Sequence, residues 1–420
     1  MRFLYSLVYT CGFLIVLPYF LIVGLFRRKY FPTLGQRFGN IKQSSDAPSI
    51  WVHAVSVGEF LACKALIQKL KSVAPNRPVF ISTTTITAQK LAEKSFPGFT
   101  FYFPFDWAWT VRKVLRKIRP GLIAVMETEI WPNFLWETQS AGIPTLLING
   151  RLSDRSMRRY SIVKRWLPMF DQCWMQSESD AEKMRSLGAV DVFTCGNLKY
   201  DVKPAQISQN LQKIIAEWKG QHLLWIAGST MPAEEGLVLD VFRSLKREYP
   251  LKLLLAPRHP ERFAEVKELI AAAQFQSANR TTFQPDDAAS DVMLLDTIGE
   301  LAGAYEDADV VLIGGTLTEN GGGHNPIEPA YFGKAIVSGI YFNNFRAVFH
   351  DFQRHNAIFI TDDLLIGMQQ LLISAEKRSA LGNAARILVE QNAGATEKVF
   401  NAVLQQFEAA NRTPGTALLS

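Results

Sequence analysis

The feature that most constrains the fold is an alternation, from about residue 49 onward, of short apolar runs with longer amphipathic stretches. Short continuous apolar runs are typical of strands buried on both faces of a parallel sheet, and the longer stretches have the spacing of helices. The first set of predicted strands comprises residues 49–54, 78–83, 122–125, 144–148 and 173–176. The pattern predicts a doubly wound α/β domain.

The same rhythm restarts after a polar segment, 199–209, that contains Pro204 and is expected to connect two domains. The second set of predicted strands comprises residues 223–227, 251–256, 292–295, 310–313, 335–338 and 357–360. A chain of 420 residues exceeds the size at which a single core keeps growing. We therefore predict two tandem Rossmann-like domains, 30–203 and 204–410, which face a ligand-binding cleft and precede a tail at 411–420.

The N-terminal segment is uncharged from Phe3 to Phe26, and a helix of that length would cross the hydrocarbon core of a bilayer. Arg27, Arg28 and Lys29 follow at once, which by the positive-inside rule puts the rest of the chain on the cytoplasmic side. Residues 1–29 are thus predicted to be a membrane anchor.

Two other interpretations of this segment compete with the anchor. A cleaved signal peptide is disfavoured, because the apolar run is too long and no small-x-small cleavage site precedes the basic cluster. A hairpin buried in the protein core stays open as an alternative, because Tyr5, Ser6, Tyr9 and Thr10 dilute the apolar run.

Charge and motif content narrow the function. The formal net charge of +6 favours acidic partners such as phosphates or anionic lipids. Nucleic acid is not expected, because the basic residues do not alternate with aromatic ones as in nucleic-acid-binding modules. The widely spaced cysteines form no C-x-x-C pair, and no G-x-G-x-x-G or Walker A motif is present. A dinucleotide enzyme is therefore disfavoured.

Glu59 follows the first predicted strand and falls in the first turn of the next predicted helix. The positive end of a helix dipole favours an ionised carboxylate, which suits a base that takes a proton from a hydroxyl. The neighbouring Gly58 would permit close approach of a ligand. A carboxylate that only helps to start the helix fits the spacing equally well, so both interpretations stay open.

Glu127 and Glu129 follow the predicted strand 122–125, ahead of a helix that Pro132 is expected to open. We expect one carboxylate to face the cleft and the other to be solvated at the turn. Glu129 lies nearer the helix start and is the preferred functional residue.

A basic segment follows the predicted strand 144–148 and includes Arg151, Arg155 and Arg158. Such a segment is usually a solvated helix face, but beside a membrane anchor it could equally hold the phosphates of a lipid head group.

In the second half, Arg258 ends a predicted strand and is suited to bidentate contact with a phosphate or carboxylate. The glycines 321–323 precede a helix that Pro326 is expected to open, and free N–H groups there can bind a phosphate. Glu328, in the first turn of that helix, is placed to accept ribose hydroxyls.

These motifs together resemble one family. Residues 53–59, 127–133, 149–155, 196–201, 257–260 and 321–329 are similar, in order, to the bacterial 3-deoxy-D-manno-octulosonic acid (Kdo) transferases of lipopolysaccharide biosynthesis. The resemblance implies an inverting GT-B glycosyltransferase that uses CMP-Kdo and no metal or other cofactor. It also implies a lipid A precursor (lipid IVA) as acceptor, at the cytoplasmic face of the inner membrane.

The resemblance also assigns roles to residues. It implies Glu59 as the general base, with Glu129 and Lys199 as stabilisers of the transition state. The stretches that it implies for CMP binding comprise Pro257 and Arg258, then Ile298, Gly299 and Glu300, then Asn325, Pro326, Ile327 and Glu328. The alternatives are another GT-B nucleotide-sugar enzyme, such as an epimerase or lipid A disaccharide synthase, and a non-catalytic scaffold.

Overall fold

The computed structural model describes residues 2–27, 31–73, 77–127, 129–152, 164–201 and 208–411. The chain forms two compact units. The first contains residues 1–201 and 392–420, and the second contains residues 202–391. Each unit is built on its own parallel sheet, as the alternating pattern of the sequence predicts.

The sheet of the first unit has the order β3-β2-β1-β4-β5-β6-β7, and all of its neighbouring strands are parallel. Its strands are β1 (Ser49–His53), β2 (Val79–Thr83), β3 (Thr100–Tyr102), β4 (Pro120–Met126), β5 (Thr145–Gly150), β6 (Gln172–Met175) and β7 (Val192–Thr194). The strand order reverses between β1 and β4. In an open α/β sheet this switch point is where ligands bind, outside the carboxyl ends of the strands.

Helices cover both faces of this sheet, because its strands alternate between two apolar sets. The helices are α1 (Arg2–Arg27), α2 (Phe31–Arg37), α3 (Val57–Val73), α4 (Ile86–Ser95), α5 (Ala108–Ile118), α6 (Pro132–Ser140) and α7 (Glu178–Ser186). Ile50 and Val52 pack in a core with residues of α3, whereas Trp51 points into a second core with residues of α5 and α6.

The sheet of the second unit has the order β10-β11-β9-β8-β12-β13-β14 and is likewise parallel throughout. Its strands are β8 (Leu223–Thr230), β9 (Leu251–Pro257), β10 (Ser277–Asn279), β11 (Val292–Leu294), β12 (Val310–Ile313), β13 (Ala335–Ser338) and β14 (Phe359–Ile360). The switch point of this sheet lies between β8 and β12.

The remaining helices follow in chain order. They are α8 (Gln209–Lys219), α9 (Glu234–Leu245), α10 (Phe263–Ala272), α11 (Leu301–Ala304), α12 (Ile327–Tyr331), α13 (Arg346–Arg354), α14 (Leu364–Leu372), α15 (Ala375–Asn392) and α16 (Ala395–Asn411). On one face of the second sheet, β8 and β9 pack against α9, α10 and α14 around Trp225 and Phe242.

The C-terminal helix differs from the sequence prediction, which gave residues 204–410 to the second domain. After Asn392 the chain returns to the first unit, where α16 packs on α3 and β4. Val399, Phe400 and Val403 are buried in the same core as α3, so burial of this apolar face accounts for the return. From residue 412 on, the expected tail lies outside the described residues.

The predicted membrane span is not supported. Across the described part of the chain, no helix combines the length and the apolar character that crossing a bilayer requires. The polar residues that interrupt the run contact the first unit instead. Tyr5 donates a hydrogen bond of 2.8 Å to Asp106 Oδ2, Ser6 donates one of 3.1 Å to Asn133 Oδ1, and Tyr9 Oη accepts one from Asp106 N.

Ring contacts extend this interface. Phe13 and Tyr9 pack edge-on against Trp107, with ring centroids 4.8 and 5.5 Å apart, and Tyr5 packs against Trp136. Over residues 2–18, one face of α1 therefore contacts the first unit, but the segment is one continuous helix and not the buried hairpin of the alternative prediction. The opposite face is exposed and apolar, with Leu4 at 62% and Ile15 at 78% of full exposure.

Candidate functional site

In the first unit, the candidate residues gather at the carboxyl ends of the two strands that flank the switch point. Glu59 lies in the first turn of α3, directly after β1. Glu127 follows β4, and Lys199 lies in a short 3-10 turn, Leu198–Asp201, after β7. The parallel sheet brings these segments together, because every strand of a parallel sheet ends at the same edge.

Glu59 is buried, with 8% of its surface exposed, and both carboxylate oxygens accept hydrogen bonds. Oε2 accepts from the backbone N–H of Val55 at 2.8 Å, and Oε1 accepts from Ser56 Oγ at 2.9 Å. The Ser56 hydroxyl oxygen accepts in turn from Glu59 N at 3.3 Å. The carboxylate therefore has a fixed orientation, and it also caps the start of α3, so both interpretations of this residue are compatible with the geometry.

The electrostatic surroundings of Glu59 differ from the expectation that the helix dipole keeps it ionised. Burial, followed by the negative charge of Glu127, raises the pKa of Glu59 to about 7, and Glu129 adds a smaller effect in the same direction. The hydrogen bonds from Val55 and Ser56 oppose that rise. A carboxyl group with a pKa near neutrality is well matched to accept a proton at physiological pH.

Lys199 pairs with Glu127, the carboxylate that the sequence analysis ranked second. Its Nζ lies 3.4 Å from Glu127 Oε1. Glu127 has a left-handed backbone, with φ of 55°, which is unfavourable for a residue with a side chain. The preferred Glu129 accepts a hydrogen bond of 3.0 Å from Trp131 Nε1, and burial raises its pKa. Both carboxylates thus lie near Glu59, but Glu127 is the partner of the lysine.

Asn149, at the end of β5, is a further residue of this site and was noted in the sequence only as part of a motif. Its backbone is left-handed, with φ of 54°, and its side chain is fully buried. Oδ1 accepts a hydrogen bond of 3.0 Å from the backbone N–H of Leu198, next to Lys199. The left-handed conformation, which Asn tolerates better than most residues, is a signal that sequence alone does not carry.

The structure describes only one of the three predicted phosphate-binding arginines. Arg151 follows β5 directly and is exposed, whereas Arg155 and Arg158 lie outside the described residues. The proposed patch on this segment therefore stays a prediction.

In the second unit, a second group of candidate residues lies at the switch point between β8 and β12. Arg258 follows β9, the neighbour of β8, and its charge acts on both His324 and Glu328. Glu328 is in the first turn of α12, where Asn325 Nδ2 donates to its Oε1 at 3.4 Å. Burial of His324, with the Arg258 charge beside it, lowers the pKa of the imidazole to about 4, so His324 is neutral at physiological pH.

The loop after β12 is held by Glu234, a buried carboxylate that the sequence analysis missed. Glu234 begins α9 after β8, and none of its surface is exposed. Its oxygens accept hydrogen bonds from the backbone N–H groups of Met231, Gly315 and Leu317, at 2.9, 2.7 and 2.8 Å. One side chain thereby joins the two loops that flank the switch point.

The glycines of this region allow close packing of its loops. Gly315 has φ of 72°, and a Cβ there would lie 3.1 Å from the His324 ring. Gly323 N donates a hydrogen bond of 2.6 Å to Gly315 O. Substitution of Gly315 would strain the backbone and displace the loop.

The predicted stretch Ile298, Gly299 and Glu300 follows β11 and has a different environment. Ile298 is 78% exposed, and Gly299 has φ of 89°. The carboxylate of Glu300 makes a bidentate pair with Arg280, at 3.0 and 2.8 Å, and accepts from Thr297 Oγ1 at 2.6 Å. This side chain shapes the loop, and its oxygens already have partners.

The comparison with solved structures identifies the fold. The structure of MurG from Acinetobacter baumannii is similar over 86% of this chain and 100% of its own, with a TM-score of 0.54 and 14% sequence identity. That likeness shows the fold, two parallel-sheet α/β domains of the GT-B glycosyltransferase type. The predicted fold class is therefore confirmed for the two domains.

The family follows from the sequence comparisons. A family model described as 3-deoxy-D-manno-octulosonic-acid transferase (kdotransferase) matches residues 32–202. The chain is 32% identical to the 3-deoxy-D-manno-octulosonic acid transferase of Haemophilus influenzae over 413 residues, 94% of this chain and 96% of the relative. The transferase of Bordetella pertussis is 29% identical over 87% of this chain and 90% of its own. The chain belongs to the 3-deoxy-D-manno-octulosonic acid transferase family, which confirms the resemblance found in the sequence.

Proposed function

We propose that the protein transfers Kdo from CMP-Kdo to a hydroxyl of a lipid A precursor, lipid IVA, in lipopolysaccharide biosynthesis. The observation that carries the proposal is the oriented, buried carboxylate of Glu59, with a pKa near 7, beside the Glu127–Lys199 ion pair at a sheet switch point. A catalytic base of this kind suits activation of a sugar hydroxyl. The identity of the transferred sugar, Kdo, is inferred from membership of the Kdo transferase family.

In this mechanism Glu59 accepts the proton of the acceptor hydroxyl while the oxygen attacks the anomeric carbon of Kdo. The bond from that carbon to the CMP phosphate breaks in the same step, so the configuration inverts. Lys199, an ammonium, stabilises negative charge on the donor, and Glu129 stabilises the positive charge that develops at the anomeric carbon.

Arg258, Asn325 and Glu328 would hold CMP at the switch point of the second unit. Arg258 would pair with the phosphate or the sugar carboxylate, because a guanidinium binds such groups through two parallel hydrogen bonds. Glu328, which is largely buried and next to Arg258, would accept the ribose hydroxyls. Pro257, Pro326 and Ile327, together with the stretch 298–300, are proposed to line the same CMP site.

We propose that α1 binds to the membrane surface and does not cross the bilayer. Its exposed residues recur at helical spacing and form one apolar strip, made of Phe3, Leu4, Leu7, Val8, Leu14 and Ile15. A helix with one apolar face binds a membrane by lying in the interface. This arrangement would bring the site to a lipid acceptor at the cytoplasmic face of the inner membrane.

Mass spectrometry of the lipid product tests the proposed reaction. The full chain is incubated with CMP-Kdo and a tetra-acylated lipid A precursor, and a product heavier by one or more Kdo residues is expected. Incubation with a UDP-sugar donor in place of CMP-Kdo is the control for a disaccharide synthase or an epimerase. Conversion of the UDP-sugar with no transfer from CMP-Kdo would refute the proposal.

A further inference from the structure

The segment that carries Lys199 is fixed by hydrogen bonds at its backbone. Asn149 Oδ1 accepts from Leu198 N at 3.0 Å, and Asn197 Oδ1 accepts from Lys199 N at 3.0 Å. The Lys199 side chain is a flexible four-carbon stem, so the position of its ammonium depends on these backbone contacts and on Glu127 at the far end.

The same segment is bound on its other side by the chain that returns from the second unit. Asn197 N donates a hydrogen bond of 3.2 Å to Asn392 Oδ1. Gly196 has φ of 93°, and a Cβ there would lie 2.9 Å from Asn392 O, so only glycine permits this approach. The contact is therefore close and specific in its geometry.

Asp201 connects this segment to the start of α16 through both of its carboxylate oxygens. Its Oδ1 accepts from Gly394 N at 2.6 Å, and its Oδ2 accepts from Thr396 N. These N–H groups lie at the start of α16, so the carboxylate caps this helix and interacts favourably with its dipole. Asp201 is also the last residue of the first unit before the chain leaves it, and Gly394 lies two residues after Asn392, where the chain returns.

The capped helix also packs on the helix that carries Glu59. Phe400 and Val403 of α16 share a core with Phe60 and Leu66 of α3. Lys69 of α3 pairs with Glu397 of α16. One helix thus contacts the element that presents Glu59 and, through Asp201, the turn that presents Lys199.

We infer that Asp201 is a positioning residue for Lys199, and that it uses the C-terminal helix α16 as the support that fixes Lys199 relative to Glu59. The inference rests on the proposed function. The physical reason is that transition-state stabilisation requires the charge to be held in place, and displacement of a group by about 1 Å can cost about 100-fold in rate.

Substitution of Asp201 tests the inference. In Asp201→Ala, kcat for Kdo transfer should fall by about 10- to 100-fold, while KM for CMP-Kdo changes by less than about 3-fold, because the residues proposed to hold CMP lie in the second unit. Asp201→Asn keeps the shape and one acceptor oxygen, so its kcat should fall less. If Asp201→Ala does not fold, Asp201→Asn provides the same comparison.

The matched control is Ser177→Ala, which removes another helix cap in the same unit. Ser177 Oγ accepts from Asp180 N at 3.1 Å at the start of α7. This variant should lower the melting temperature, as Asp201→Ala does, but leave kcat unchanged. An equal loss of kcat in Ser177→Ala would show that general destabilisation accounts for the effect.

A double-mutant cycle with Lys199→Ala decides the mechanism. If Asp201 acts through Lys199, Asp201→Ala causes no further loss of kcat in a chain that already lacks the lysine. A loss by the same factor in both backgrounds would overturn the inference. Failure of the proposed function is a different result, since the wild-type chain would then transfer no Kdo at all.

Discussion

Glu127 Oε1 lies 3.4 Å from Lys199 Nζ, across 72 residues of sequence. The same carboxylate is the charged neighbour that does most to raise the pKa of Glu59. Glu127 therefore has two effects: it attracts the ammonium of Lys199, and it makes Glu59 a stronger base. A residue that sequence analysis assigned to a solvated turn thus becomes part of the proposed catalytic machinery.

Glu59→Gln keeps the size of the side chain but cannot accept a proton. We expect transfer to fall by at least about 100-fold in single-turnover measurements, with unchanged affinity for CMP-Kdo. The melting temperature should not fall, because the variant no longer buries an ionisable group that neighbouring charges disfavour.

The control for this substitution is Glu93→Gln. Glu93 accepts hydrogen bonds from a backbone N–H, that of Gly98 at 3.0 Å, and from the Thr100 hydroxyl, as Glu59 does from Val55 and Ser56. It lies near the amino end of β3, whereas Glu59 lies at the carboxyl end of β1. Glu93→Gln should therefore leave the rate of transfer unaltered. Near wild-type turnover of Glu59→Gln would show that Glu59 is not the general base. Glu129 would then be the next candidate.

The rate of transfer should rise with pH and reach half of its plateau near pH 7, because the ionised form of Glu59 is the base and its pKa is about 7. The sign for stability is the opposite. The folded protein binds this proton more tightly than the unfolded chain does. The contribution of Glu59 to the free energy of unfolding therefore decreases as the pH rises from about 4.5 to about 7.

Glu127→Gln tests the origin of that pH dependence. Loss of the neighbouring negative charge lowers the pKa of Glu59, so the midpoint of the pH–rate profile should move to lower pH. The plateau rate should also fall, because Lys199 loses its partner. A midpoint at the wild-type value would contradict the electrostatic coupling between Glu59 and Glu127.

Arg258→Ala should weaken binding of CMP-Kdo by about 1.5–3 kcal/mol, the usual effect of losing a charge-assisted hydrogen bond, as measured by calorimetry. Arg243→Ala is the control, because Arg243 is a surface residue of the same unit that pairs with Asp240. If Arg258→Ala binds CMP-Kdo with wild-type affinity, Arg258 does not contact the phosphate or the carboxylate of the donor.

The central strands of both sheets could be predicted because strands that are buried on both faces are continuous apolar runs. The predicted strands all correspond to strands of the structure. Those that were missed, β3, β7 and β10, lie at sheet edges and have three residues each. Runs so short carry too little periodicity to be recognised.

The site was predictable where a motif follows a strand and not where contacts span the sequence. Glu59 and Lys199 could be named from local motifs and family resemblance. The pairing of Lys199 with Glu127, and the cap that Asp201 places on α16, depend on how distant segments pack. The return of α16 to the first unit likewise depends on which apolar core buries Phe400, which periodicity cannot decide.

The N-terminal helix offers the last prediction, since its two faces have separable functions. Tyr5 donates its hydrogen bond to Asp106, which is 1% exposed and also accepts from the backbone N–H groups of Asn133 and Phe134. Burial raises the pKa of Asp106 to about 6, and the Tyr5 hydrogen bond opposes that rise.

Tyr5→Phe leaves this buried carboxylate short of a donor, so the free energy of unfolding should fall by about 1–3 kcal/mol in denaturant titrations. Leu4→Gln combined with Leu7→Gln changes only the exposed strip of the same helix. This double variant should keep the wild-type unfolding free energy but bind less to vesicles that contain anionic lipid, because apolar area and charge together determine interfacial binding. Tyr5→Phe should bind vesicles as the wild type does at temperatures where it is folded. If the Leu variants bind vesicles normally, α1 is a structural helix of the first unit and its apolar strip has no role at the membrane.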